Sequence, residues 1–211
     1  MSTIVQDLFQ FSTYIPPINL SFHQYLLLTD EPLLVHTGNV QQAAALIPQL
    51  KDLLKSKSLN YIFISHFEAD ECGGLSQILE HFPQAKVVCS EVTARQLGGF
   101  GIIKDIMIKK PGEKLTTNNY ELEFFSYPSE MHLWEGLLAM ENQRKIFFSS
   151  DLMIRFGEAS GSTVQSDWQT EINNIRPEQV PSPELRTQLQ QTLAQLDPKF
   201  VAVGHGSCLK F

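Results

Sequence analysis

The chain has few cysteines and no pair of them at the spacing of a metal or redox motif. Cys72, Cys89 and Cys208 stand far apart, and an odd count fits a reducing compartment better than a disulfide framework. Each reads most simply as a small buried hydrophobic residue, although Cys72 and Cys208 lie close in sequence to candidate ligands. No apolar run approaches the ~20 residues of a membrane helix. The N-terminal stretch MSTIVQDLFQF has no basic segment leading into an apolar one, so neither a leader nor a span is predicted, and a cytoplasmic protein is. Basic residues are also scarce, with 16 Lys and Arg against 23 Asp and Glu, a net charge of -7 and no basic cluster. That balance excludes nucleic acid and an anionic membrane surface as the main partner and leaves a small polar substrate open.

What is present suits one folded unit. At 211 residues, 43% hydrophobic and 18% charged, the chain is long enough to bury a sizeable core, and a single domain over 1–211 is expected. β-type runs at Gln24 to Thr29 and Pro32 to Thr37 flank Asp30-Glu31 and predict a hairpin. From Val40 to Lys57, Ala44, Leu46, Ile47, Leu50, Leu53 and Leu54 recur at helical spacing. Strand, helix, strand and helix then alternate from Tyr61 to about Leu97, which implies a parallel portion of sheet with helices outside. Meander strands follow between Ile102 and Ser149. Residues 155 to 180 are polar and aperiodic, and an excursion loop with one short helix is expected there. Ser182-Pro183-Glu184 starts a helix that Pro198 stops, and Phe200 to Gly204 is a last buried strand. Two meander-rich sheets with helices on the outside describe an α/β protein of the αβ/βα sandwich kind, without an evident sequence repeat.

The chain is organised around YIFISHFEADECGG, Tyr61 to Gly74. A buried strand, Tyr61 to Ser65, breaks into His66, Glu68, Asp70 and Glu71 before a Gly pair, which places the polar residues on a strand-end loop. Alternation turns an imidazole and two carboxylates to one side while Phe67 and Ala69 face away. By itself such a stretch is as well explained by an acidic surface turn. Three other strands also end in a metal-competent side chain: FFSYP before His132, IFFSS before Asp151 and VAVG before His205. Seven candidates, His66, Glu68, Asp70, Glu71, His132, Asp151 and His205, are thereby placed where loops from several strands converge at one sandwich edge.

Together these stretches resemble the metallo-β-lactamase superfamily, and within it the di-iron domain of flavodiiron proteins, the oxygen and nitric oxide reductases. The resemblance runs from about Gln24 through IFISHFEAD, AKVVCS and KIFFSSD to VGHG. It implies a four-layer αβ/βα sandwich of metallo-β-lactamase type. Zinc hydrolases of the superfamily carry H-x-H-x-D-H at the first loop, whereas Glu68 stands at the middle position as in the flavodiiron H-x-E-x-D-H. A carboxylate there makes the donor set richer in oxygen, which suits iron better than zinc. The resemblance implies one iron on His66, Glu68 and His132, the other on Asp70 and His205, and Asp151 between them, with O₂ or NO as the reacting partner.

Three positions depart from that pattern. Glu71 replaces a second histidine, so one iron gains a carboxylate or keeps a solvent ligand. His36 stands where relatives have the aspartate of D-T-G, and reads either as a buried hydrogen-bonded histidine or as a ligand. Around His132 the usual proline-rich run is replaced by Met131-His132-Leu133-Trp134. His23 and His81 have no partners in view. Because flavodiiron proteins continue into a flavodoxin-like domain and nothing here resembles a flavin site, no bound flavin is expected. The expected electron source is a separate flavoprotein or other donor, for either a split reductase or a sensor. A homodimer is also expected, covered in part by an excursion loop carrying Phe156 and Trp168. The competing expectation is a zinc-dependent hydrolase of esters, lactones or thioesters, in which a metal-bound hydroxide attacks the carbonyl.

Overall fold

The computed structural model describes residues 1–103, 105–128 and 135–211. The first sheet comprises β1 (Ser2–Val5), β2 (Leu8–Ile15), β3 (Leu20–Leu27), β4 (Leu33–Val35), β5 (Tyr61–Phe63), β6 (Lys86–Cys89) and β7 (Ile106–Ile108), in that order across the sheet. β1 to β4 form an antiparallel meander, and β4 to β7 run parallel. The second sheet is built from β8 (Lys114–Thr116), β9 (Glu121–Tyr127), β10 (Gly136–Glu141), β11 (Ile146–Ser150), β12 (Thr163–Gln165), β13 (Phe200–Val203) and β14 (Cys208–Lys210). Its order is β12-β14-β13-β11-β10-β9-β8, again an antiparallel meander followed by a parallel crossover, here from β11 to β13. The halves share a meander and the parallel crossover after it, a likeness that no sequence repeat announces, and differ beyond that crossover.

The parallel pairs need crossovers, and helices supply them. α1 (Val40–Leu54) joins β4 to β5; α2 (Ala69–Cys72) and α3 (Leu75–His81) join β5 to β6; α4 (Glu91–Gly99) follows β6. In the second half, α5 (Trp168–Asn173) and α6 (Pro183–Leu193) lie between β11 and β13. Asn39 and Gln42 close a reciprocal capping box at the start of α1, and Ser182 caps α6 just ahead of Pro183. Pro48 lies on the exposed side of α1, where losing one backbone hydrogen bond leaves a carbonyl within reach of water.

Strand periodicity divides the core. Leu26, Leu34, Ile62 and Val87 point outward to Ala43, Leu46 and Leu50 of α1 and Leu75 and Ile78 of α3. Their alternates Tyr25, Leu27, Val35, Phe63 and Val88 face the second sheet, where Phe63 meets Phe124 and Tyr25 meets Phe148 at ring separations of 5.5 and 6.2 Å. On the far side Phe147 packs on Trp168, whose indole N–H donates to the Leu193 carbonyl at 3.1 Å and so ties α5 to α6. Four layers result, with both sheets covered, which is why the strands read as nearly continuous apolar runs. No helix among the described residues is long and apolar enough to cross a membrane.

Several expectations shift. Asp70 and Glu71 lie in the single turn α2 rather than in an open loop. The strand expected from Ile102 is formed only from Ile106, and β12 and β14 are additional. Trp168, expected on a surface loop, is an internal anchor of the outer helical layer.

Candidate metal centre

Four chain segments leave the two sheets at one edge, beyond the carboxyl ends of the parallel pairs β4/β5 and β11/β13, where open α/β folds place their ligands. Two of the exits use a positive-φ backbone at a non-glycine residue: His36 (φ 63) after β4 and Ser150 (φ 49) at the end of β11. Such conformations cost of order 1–3 kcal/mol each and persist where surrounding contacts over-determine them. Here the hydroxyl of Ser65 links both: its Oγ lies 2.8 Å from His36 Nε2, 2.8 Å from Ser150 Oγ and 3.0 Å from His66 Nδ1. One donor and two acceptor sites on that hydroxyl match three partners.

The cluster itself is compact. His66, fully buried, points Nε2 at Glu68 Oε2 (3.1 Å), Asp151 Oδ2 (3.4 Å) and Glu71 Oε2 (3.8 Å). His205 points Nε2 at Asp151 Oδ1 (3.1 Å) and Asp70 Oδ2 (3.4 Å). Asp151 thus divides its two oxygens between two imidazoles. The ligand atoms fall into two sets, each within 4.8 Å: His66, Glu71 and Asp151, and Asp70, Glu71 and His205. Six of the seven sequence candidates therefore meet. His132 lies outside the described residues, but the segments on either side of it touch His66. Tyr127 stacks edge-on to His66 at 5.8 Å, and Gly136 approaches so closely that a Cβ there would lie 2.9 Å from His66 Cβ.

The protonation chemistry points to a cation. His205 Nδ1 faces the Ser21 carbonyl at 3.2 Å, which can only accept, so Nδ1 carries the proton and Nε2 of the neutral ring presents a lone pair to two carboxylates. Acceptors facing acceptors need a proton or a metal between them. Burial is the largest influence on His205 and opposes its charge, yet the Asp151 hydrogen bond and the Asp151 and Asp70 charges together hold its pKa above the ordinary value. Burial, and then the charges of Asp151 and Asp70, push Glu71 well above the usual carboxylate range; burial likewise raises Asp70. Once metal takes the place of those protons, the four carboxylates offer a charge near -4, which two divalent ions balance. These residues fit a two-metal site, and their donors are oxygen-rich. Sulfur has no part: burial pushes the Cys72 thiol up to about 12, and its Sγ donates to the Glu68 carbonyl at 3.1 Å. Cys208 is engaged with Tyr25 and Gln10 in the core.

Residues 20–206 match the family described as ODP family beta lactamase. The chain belongs to this family. Among curated relatives of this ODP chain, putative diflavin flavoprotein A 2 of Synechocystis sp. PCC 6803 is 24% identical over 201 residues, covering 90% of the chain and 34% of the relative. The nitric oxide reductase of Moorella thermoacetica is 24% identical over 160 residues, covering 75% of the chain and 39% of the relative. The rubredoxin oxygen:oxidoreductase structure from Desulfovibrio gigas superposes with a TM-score of 0.80 at 17% identity, over 99% of the chain and 57% of that structure. The ODP chain spans well under half the length of these curated relatives. The expected metallo-β-lactamase-type αβ/βα sandwich is the fold of this ODP protein.

Of the two readings of His36, the buried hydrogen-bonded one holds, with its Nε2 given to Ser65. Burial, followed by the charge of His66, lowers its pKa to about 3. Sequence reasoning missed the other groups that hold the cluster. His23 is held between Ser12 Oγ (2.8 Å) and the Gly206 carbonyl (2.7 Å), bracing the loop that carries His205, and burial lowers its pKa to about 4. Thr37 donates from its backbone N–H (2.8 Å) and hydroxyl (3.2 Å) to the Glu71 carbonyl, so H-T-G of 36–38 supports α2 directly. Adjacency to His66 and to the strand end was the only available signal for Ser65. His81, which has no partner in view in the sequence, ends α3 and pairs with Lys51 Nζ at 3.2 Å.

Proposed function

We propose that this chain holds two iron ions and uses them to reduce O₂ or NO with electrons from a separate donor. His66, Glu68 and His132 hold one ion, Asp70 and His205 the other, and Asp151 lies between them. The observation that carries the reading is Asp151, whose two oxygens are already divided between His66 and His205. It is supported by relatives named nitric oxide reductase and rubredoxin-oxygen oxidoreductase. The ions would supply reducing electrons and open positions for a diatomic ligand. The chain's own residues orient the imidazoles through Ser65 and Ser21, balance the ionic charge with carboxylates, and keep the apolar wall of Phe22, Leu152 and Met153 beside the centre.

A cavity of about 920 Å³ opens from Glu68, Asp70, Asp151 and His205 to the surface past Arg155 and Phe156. That is far more room than a diatomic molecule needs, and it lets the redox group of a donor approach the centre. O₂ + 4e⁻ + 4H⁺ → 2H₂O requires four electrons, and two ferrous ions going to ferric provide two. Sustained turnover therefore needs a carrier, for which a flavoprotein is the proposed source.

The decisive experiment compares the two metal forms of the full chain. The reduced iron form is expected to consume O₂ or NO once per site and to turn over continuously only when a reductase with its flavoprotein is supplied. A fast reaction without donor-driven turnover would assign the chain a sensing role. An inert iron form beside a zinc form that hydrolyses thioesters or lactones would replace this reading with the hydrolase one.

A further inference from the structure

The position next to Asp70 carries a second observation that the ligand assignment above leaves unused. Glu71 is 1% exposed, and its Oε2 makes no hydrogen bond. Among the described residues no lysine or arginine is paired with it; its Oε2 lies 3.8 Å from His66 Nε2, and its carboxyl group shares a hydrogen bond with that of Asp70. Its backbone is fixed by the two Thr37 hydrogen bonds to its carbonyl, so the side chain is delivered to the centre rather than left there by a mobile turn. Glu71 also belongs to both sets of converging ligand atoms, one with His66 and Asp151 and the other with Asp70 and His205.

We propose that Glu71 is a second bridging carboxylate, shared with Asp151 between the two metal positions. The inference rests on the two-ion reading above and changes what residue 71 does within it. An imidazole offers one nitrogen to one ion, whereas a carboxylate has two oxygens and can serve two. The histidine-to-glutamate departure at this position therefore converts a terminal ligand into a shared one. It also brings the carboxylates of the cluster to four, the number whose charge two divalent ions neutralise. The two ions are consequently coupled through residue 71, because a carboxylate shared by both sets of donors is completed only when both positions are filled.

The test is anaerobic titration of chelator-stripped full chain with Fe²⁺, followed by calorimetry, for the wild type, Glu71→Gln and Glu71→His. Thermal unfolding of each metal-free form is recorded alongside. The wild type is expected to take up two ions. Glu71→Gln is expected to weaken both by at least the roughly 10- to 100-fold typical of losing a supporting group at a metal site, while its metal-free form still unfolds cooperatively. Glu71→His is expected to recover tight binding of one ion only. Loss of one ion with the other at wild-type affinity, unchanged binding in Glu71→Gln, or two tightly held ions in Glu71→His would each overturn the bridging role. A folded wild type that takes up no iron would overturn the two-ion reading itself, and Glu71 with it.

Discussion

Ser65 offers the sharpest test at the scale of single residues. Its hydroxyl is the common partner of His36, His66 and Ser150, and it sets His66 with Nδ1 as donor and Nε2 toward the carboxylates. Ser65→Ala leaves those three buried groups short of a partner. It is expected to weaken metal binding about 10- to 100-fold, while Ser65→Thr, which keeps the hydroxyl, retains most of the affinity. Equal affinity in Ser65→Ala, measured by competition with a metal indicator, would remove Ser65 from the account. His36 makes a second prediction. Its pKa is lowered to about 3 from an ordinary 6.5, so the fold favours the neutral ring. That contribution is fully present above about pH 6.5 and is lost as the pH falls toward 3. In metal-free His36→Asn, which tolerates the left-handed backbone, stability between pH 6.5 and 3 should fall less steeply than in the wild type. Parallel curves from denaturant titrations would contradict this. The acidic groups at the centre are common to both proteins and cancel in the difference. His66, Glu68 and Asp70 were legible because alternation at a strand end leaves a pattern. Ser65, Ser150 and His23 were not, since a hydrogen-bonding serine or a core histidine acquires its meaning only from partners distant in sequence.

Among the elements, the approach of α3 to α1 is set by Gly74. A Cβ built there would lie 2.2 Å from Ala43 Cβ, a contact with no room to relax inside a packed helix pair. Gly74→Ala is therefore expected to cost about 1–3 kcal/mol, read as a lower denaturation midpoint at unchanged slope; a neutral substitution would show that the helices separate easily. The long periodic elements were readable: α1 has an asparagine cap and an apolar stripe, and β5, β6, β11 and β13 are apolar runs of strand length. β12 and β14 were not. They are three residues each, β12 is exposed throughout, and both owe their existence to pairing with each other and with β13 rather than to local preference. Trp168 was misplaced for the same reason, because a lone aromatic in a polar segment does not disclose that Phe147 and Leu193 wait for it.

For the whole molecule, two sheets that each run from an antiparallel meander into a parallel crossover meet with their crossover ends at one edge, and the centre belongs to both. Phe22 and His205 bridge the first sheet to the second there, as do the backbone hydrogen bonds from His23 to Gly204 (3.0 Å) and from Leu137 to Ser65 (2.8 Å). An ion bound by residues from both halves ties them together, so metal loading is expected to stabilise the chain by about 2.7 kcal/mol for each ion present at 100 times its dissociation constant. The homodimer expected from the sequence retains one structural argument, Phe156, which is 72% exposed at the mouth of the cavity. Phe156→Ser should shift a dimer toward monomer in light scattering, and a wild type already monomeric at high concentration would end that proposal. The measurement that bears most directly on the central claim is metal stoichiometry by elemental analysis after anaerobic loading with equimolar iron and zinc. Two irons per folded chain in the wild type, and loss of both in Asp151→Ala, are the predicted result. One ion or none in the wild type, zinc in preference to iron, or two irons retained without Asp151 would contradict it.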